Sequence, residues 1–164
     1  MQVFLVRHAI AYERSRVRWP NDALRPLTPA GKEKFRKAAR GLSKWLPEHA
    51  ALLTSPYVRA RETAALLAEA WRGKPIECAE LAADQPVAEG FKLLRTRKEK
   101  AVVLVGHEPW LSRFLAAALG GPDATLKIDF KKGGAAFIGF ASRVEPGRAT
   151  LCWMLPPRVL RALR

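Results

Sequence analysis

The chain has 164 residues, 49% of them hydrophobic, and 29 Lys and Arg against 15 Asp and Glu give a formal net charge of +14. That length and apolar content suit one domain with a sizeable core and exclude a disordered chain. No apolar run reaches the ~18 residues of a membrane span, and Arg7 and His8 break the opening apolar stretch too early for a secretory signal, so a cytoplasmic protein is expected.

Residues 2–6 read as a short buried strand, followed by an irregular charged stretch, 11–27, broken by Pro20 and Pro26. Thr28 and Pro29 form a helix start, N-cap then first helical position. Phe35, Ala38, Ala39, Leu42, Trp45 and Leu46 give that helix an apolar face, and Pro47 stops it. Residues 51–54 form a second strand, and 57–72 a helix with Ala60, Ala64, Leu67 and Trp71 on one face. A short strand is expected over 75–78 and a weakly patterned helix over 85–97. The unbroken run AVVLV, 101–105, is a strand of the kind buried on both faces of a parallel sheet. Pro109 opens a helix through Leu119, ended by Gly120 and Gly121. Residues 135–141 and 149–154 then form a hairpin around Pro146 and Gly147. The whole reads as one α/β domain over 1–164, a three-layer α/β/α sandwich with a mostly parallel central sheet and a C-terminal antiparallel edge hairpin. Cys78 and Cys152 are far apart, lack CxxC spacing, and read as small buried hydrophobes.

In open α/β sheets ligands sit beyond the carboxyl ends of strands. The first strand is followed by Arg7 and His8, the second by Ser55 and then Arg59 in the first turn of a helix, and AVVLV by Gly106, His107 and Glu108. Two arginines and two histidines from three distant segments therefore meet at one sheet edge. Guanidinium forks hold phosphoryl oxygens bidentately. A neutral imidazole is a competent nucleophile toward phosphorus, and a second can stabilise charge on the oxygens. The side chains supply the positive charge, so neither metal nor cofactor is required.

LVRHA (5–9), TSPYVRARETA (54–64) and VLVGHEPWL (103–111), in that order, resemble the three signatures of the histidine phosphatase superfamily, branch 1, phosphoglycerate mutase-like. RPLTPAGKEKFRKAA (25–39), the short length and the GHEP form resemble its SixA-type phosphohistidine phosphatase members. The resemblance implies that His8 is the transiently phosphorylated nucleophile, that Arg7 and Arg59 clamp the phosphate, and that His107 stabilises the transferring group. It places Arg25 at the entrance and Ser55 beside Arg59 or the phosphate. Thr63, four residues beyond Arg59, shares its helix face. Ester-cleaving members use a carboxyl group to protonate the leaving alkoxide. Here IECAELAADQP (76–86) offers Glu77, Glu80 and Asp84 without a clear motif. Asp84 is the favoured acid of the three, and Glu108 is an alternative that also lies beside the substrate. A phosphohistidine substrate lessens the need, because imidazole can leave as a neutral base.

Several plainer roles stand beside these. Arg59 could pair with Glu62 on the helix surface. His49 is read as a surface residue, and Trp19 and Trp110 as candidate pocket walls. The basic runs 32–44, 92–100 and 156–164 read as solvated faces, the alternative being a surface for an acidic partner. The substrate implied is a phosphorylated protein or a small phosphorylated molecule. A mutase, or a non-catalytic module binding phosphorylated or polyanionic partners, uses the same pocket. Nucleic acid is not expected as a partner, because no recognition motif accompanies the charge.

Overall fold

The computed structural model describes residues 1–71 and 73–163. In chain order the elements are β1 (Gln2–Arg7), α1 (Pro29–Ser43), β2 (Ala51–Thr54), α2 (Val58–Trp71), β3 (Pro75–Glu77), α3 (Val87–Thr96), β4 (Ala101–Gly106), α4 (Trp110–Gly120), β5 (Ala135–Phe140), β6 (Ala149–Leu155) and α5 (Pro157–Ala162). Among the described residues six strands make one sheet in the order β3-β2-β4-β1-β5-β6. Neighbours from β3 to β1 run parallel, while β1–β5 and β5–β6 are antiparallel. No helix among the described residues is long and apolar enough to cross a membrane.

Alternation along β1 sorts its side chains between two cores. Val3 and Leu5 join the α3 and α4 side with Phe91, Leu94 and Phe114, whereas Phe4 and Val6 join the α1, α2 and α5 side with Phe35, Leu42 and Leu67. Every residue of β4 is buried, which its unbroken apolar run requires of a central parallel strand. Each such Val or Leu contributes about 1.5–3 kcal/mol by leaving water. The Thr28 side chain caps α1 by accepting the Gly31 N–H, with Pro29 at the first position.

The structure corrects four readings. Helix α1 ends at Ser43, so Trp45 leaves the apolar face and is 52% exposed, its ring meeting Trp153 edge-on at 6.2 Å. Trp110 is core rather than pocket wall: it stacks on Phe114 at 5.1 Å and is 2% exposed, under Gly90, where a Cβ would come within 2.6 Å of its ring. Cys78 is buried, but Cys152 is exposed, because it lies on the edge strand β6. The 11–27 stretch is irregular as expected, apart from a 3₁₀ turn, Asp22–Leu24, capped by Asn21. The basic run at 156–164 is not wholly a solvated face: it forms α5, with Leu160 fully buried against α1. Gly41 permits that contact, since a Cβ there would lie 1.9 Å from the Leu160 carbonyl oxygen.

Leu160→Ala is therefore expected to lower stability by about 2–4 kcal/mol in urea denaturation. The exposed Arg158→Ala should change it by less than about 0.5 kcal/mol.

Candidate active site

Strands β1 and β4 lie side by side, and their chains leave toward opposite faces, α1 on one and α4 on the other. The crevice at their carboxyl ends is the switch point at which such sheets bind ligands. Their register ends with Arg7 opposite Gly106, so the next residue on each strand is a histidine. The His8 N–H donates to the Gly106 carbonyl at 3.0 Å, and the Ser55 N–H to that of Val105 at 3.0 Å, which extends the sheet by one residue under the site. The His8 and His107 rings are 5.2 Å apart, centroid to centroid.

His8 is 6% exposed, and its Nδ1 lies 2.7 Å from the Ala9 carbonyl oxygen. A carbonyl only accepts, so we assign the proton to Nδ1, leaving the lone pair on Nε2. Burial, helped by the charges of Arg59, Arg7 and Arg25, pushes this imidazole down to about 3. His107 is 1% exposed, and its Nε2 meets the Ser55 hydroxyl at 2.7 Å. That hydroxyl already accepts the Tyr57 N–H at 3.3 Å. With one lone pair so engaged, the hydroxyl still has its own proton to give, and we assign that proton to His107 Nε2 and the imidazole proton to Nδ1. Burial, with the charges of His8 and Arg59, lowers His107 to about 2. Both rings are neutral near neutral pH.

Three arginines surround the pair. Arg7 Nη1 donates to the Phe130 carbonyl. Arg59, 2% exposed, donates from Nη1 to the Asp22 carbonyl at 2.7 Å, and its Nη2 lies 3.1 Å from the Asp22 carboxylate. Arg25 donates from Nε to the same carboxylate at 2.8 Å and from Nη1 to the Tyr12 carbonyl at 2.6 Å. The Arg25 hydrogen bond, with the charge of Arg59, holds the Asp22 carboxyl below the usual range. The Tyr57 ring lies 5.0 Å from the Arg59 guanidinium carbon and 4.9 Å from the His107 ring. Arg7 Nε, Arg59 Nε and His107 Nδ1 are buried with no hydrogen-bond partner among the described residues. An unpaired buried donor costs about 1–3 kcal/mol, which an anionic oxygen would recover. The arrangement suits a small tetrahedral oxyanion next to a lone pair on His8.

The structure thus brings together Arg7, His8, Arg25, Ser55, Arg59 and His107. Thr63 also contributes, accepting the Ala9 N–H at 3.0 Å and donating to the Arg59 carbonyl at 2.7 Å, so it ties the His8 turn to α2. Glu62 does not pair with Arg59; it holds Lys32 Nζ at 2.5 Å and the Leu27 N–H at 2.7 Å. The Glu108 carboxylate is engaged by the Ser112 N–H at 3.2 Å and by the Ser112 hydroxyl. Asp84 is exposed and accepts the Tyr57 hydroxyl at 3.5 Å, and Glu77 pairs with Arg61 at 3.2 Å. Sequence reasoning missed Asp22 and Tyr57. The signal for Asp22 was its place three residues before Arg25, just after the turn-forming Asn21.

The family model of the histidine phosphatase superfamily (branch 1) matches residues 3–83. A protein of Picosynechococcus sp. (strain PCC 7002), itself uncharacterized, is 32% identical over 146 residues, which is 87% of this chain and 86% of that one. The chain belongs to the histidine phosphatase superfamily. Its fold is also that of the superfamily's SixA members. A structure of the protein histidine phosphatase SixA complexed with tungstate has a TM-score of 0.79 at 24% identity, covering 98% of this chain and 99% of that one. SixA from Agrobacterium tumefaciens has a TM-score of 0.74 at 25% identity, covering 95% and 97%. A phosphoserine phosphatase mutant from Entamoeba histolytica, in complex with phosphoserine, has a TM-score of 0.70 at 15% identity, covering 96% and 98%.

The depressed histidines carry a stability consequence. The unfolded imidazoles titrate near 6.5, whereas in the fold they stay neutral to about 3 and about 2. As pH falls below 6.5 the unfolded chain binds protons that the folded chain refuses. Stability should therefore drop by up to about 1.4 kcal/mol per pH unit for each histidine. Urea denaturation from about pH 7 to about pH 5 should show this slope, and His8→Asn should reduce it by about one proton.

Proposed function

We propose that this histidine phosphatase hydrolyses phosphohistidine on a protein substrate through a phosphorylated His8. The observation that carries the reading is the His8 ring, neutral, with its Nδ1 proton tied to the Ala9 carbonyl and its Nε2 lone pair free among unpartnered guanidinium N–H groups. Arg7 and Arg59 bind the phosphoryl oxygens, and Arg25, through Asp22, fixes Arg59 at the entrance. The Nε2 lone pair attacks phosphorus, and the P–N bond to the substrate imidazole breaks with its electrons going to that nitrogen. His107 Nδ1–H donates to an equatorial oxygen as charge develops, with Ser55 holding the tautomer. Water then attacks phosphorus, both its protons ending on oxygens of the released dihydrogen phosphate, and the P–N bond breaks with its electron pair returning to His8 Nε2. Because Nδ1 has kept its proton, His8 departs as a neutral imidazole rather than as an imidazolate.

The same argument governs the substrate. A phosphohistidine protonated on its other ring nitrogen also leaves as a neutral base, whereas an alkoxide must be protonated. The carboxyl groups near the pocket are weakly placed for that task. Glu108 is held by Ser112, and Asp84 is joined to the site through Tyr57. The name of the SixA relative, a protein histidine phosphatase, agrees with this preference. A small phosphate ester is the second reading. It is favoured by the fold shared with the phosphoserine phosphatase, and it would use Asp84 as acid. The location proposed is the cytoplasm, in keeping with two free cysteines.

Incubation with a phosphohistidine or aryl phosphate donor, quenched rapidly at alkaline pH, should place the label on His8 by mass spectrometry, and phosphorus NMR of the trapped species should assign it to Nε2. His8→Ala should abolish both label and turnover, and Arg59→Ala should lower kcat by about 10²–10³. A label elsewhere would sink the assignment. The double variant Asp84→Asn, Glu108→Gln should keep phosphohistidine turnover within about threefold while alkyl ester turnover falls by about 10² or more. Equal losses on both substrates would remove the leaving-group argument.

A further inference from the structure

The pocket does not account for most of the positive charge. A trough of about 760 Å³ opens at Arg7 and runs past Ile10 to α5, with Lys132, Arg158 and Arg161 along it. Ile10, Lys132 and Arg161 also line the adjoining cleft, where Lys34 of α1 joins them. Arg161 is shared again with a hollow of about 510 Å³ lined by Lys37, Arg40 and Lys44. Shared walls make these one track, leading from the phosphate-binding arginine along α5 and α1.

Most cations of this track are free of acids; of those lining it, Lys37 pairs with Glu33 at 3.3 Å and Lys131 with Asp129 at 2.5 Å. Unpaired cations occur elsewhere among the described residues too, Arg95, Lys98 and Lys100 included, but what sets the track apart is their alignment along connected hollows that begin at Arg7. Lys34, Arg40, Lys44, Lys132, Arg158 and Arg161 are exposed and have no ion-pair partner among the described residues. Arg158 and Arg161 are three residues apart, so α5 presents them together while Leu160 anchors the helix from beneath.

We infer that this track is the docking surface for an acidic face of the protein that carries the phosphohistidine. The inference deepens the proposed function and rests on it, since a track beside the pocket matters only if the substrate is a macromolecule. A protein face fits better than a uniform polyanion. Ile10 is 39% exposed, and Pro156 and Pro157 add apolar wall at the same level. Asp129, on the same wall, is already paired with Lys131 at 2.5 Å, so the polar part of the trough stays cationic around this apolar centre. An acidic rim around an apolar centre matches this surface, its charges guiding encounter and register.

The test uses two phosphohistidine peptides of one sequence, flanked by Glu or by Gln, together with the unphosphorylated Glu peptide, inorganic polyphosphate and an aryl phosphate. The track variant is Lys34→Glu, Arg158→Glu, Arg161→Glu. The control, Arg95→Glu, Lys98→Glu, Lys100→Glu, makes the same change in net charge elsewhere. In wild type the Glu peptide should have a KM about tenfold below the Gln peptide, the gap closing as salt screens it. The track variant should lose that gap and leave aryl phosphate turnover unchanged, while the control keeps the gap. Fluorescence anisotropy of the unphosphorylated Glu peptide should show the same ranking without chemistry. Equal KM values for the two peptides in wild type, or equal losses in track and control variants, would overturn the proposal. So would tighter binding of polyphosphate than of the Glu peptide on the same residues. If neither peptide nor aryl phosphate is turned over while the anisotropy ranking holds, the docking surface stands and the catalytic reading falls.

Discussion

Arg7 and Gly106 face each other across β1 and β4, and the next residue on each strand is a histidine. This register underlies everything else at the sheet edge. It is fixed by burial on both faces, because Phe4 and Val6 must reach one core while Val3 and Leu5 reach the other. A slip of one residue would exchange the two sets and move His8 away from His107. The hydrophobic pattern of two short strands thus specifies the spacing of two imidazoles.

The second constraint is electrostatic. Three guanidinium groups beside two buried imidazoles would be costly if each ring also carried charge. The fold resolves this by keeping both histidines neutral and placing one carboxylate, Asp22, between Arg25 and Arg59. Asp22 draws both arginines to a fixed position, and the buried Nε of Arg59 remains without a partner. The pocket keeps net positive charge for an anion while its geometry is held by an internal one.

The strands, the helix faces and the meeting of Arg7, His8, Arg59 and His107 were legible because apolar runs of clear period end in those residues. The remainder was hidden for identifiable reasons. Asp22 and Tyr57 act from an irregular stretch and a helix entry, where periodicity says nothing about direction. Trp110 follows the Gly-His motif in sequence, but helix α4 turns its ring inward beneath Gly90. Helix α5 has a single fully buried anchor, Leu160, among arginines, so composition suggested a solvated run. Cys152 is apolar by type but lies on the outermost strand, a fact of topology and not of pattern.

The Ala9 carbonyl that holds the His8 proton belongs to the main chain. Exchanging one side chain for another at position 9 leaves that oxygen in place, provided the turn survives. Substitutions can therefore alter the arginines or the basic surface while the His8 tautomer persists. Two features of this fold are in that sense decoupled: the charge around the crevice is carried by side chains free to vary, but the orientation of the imidazole is inherited with the path of the backbone.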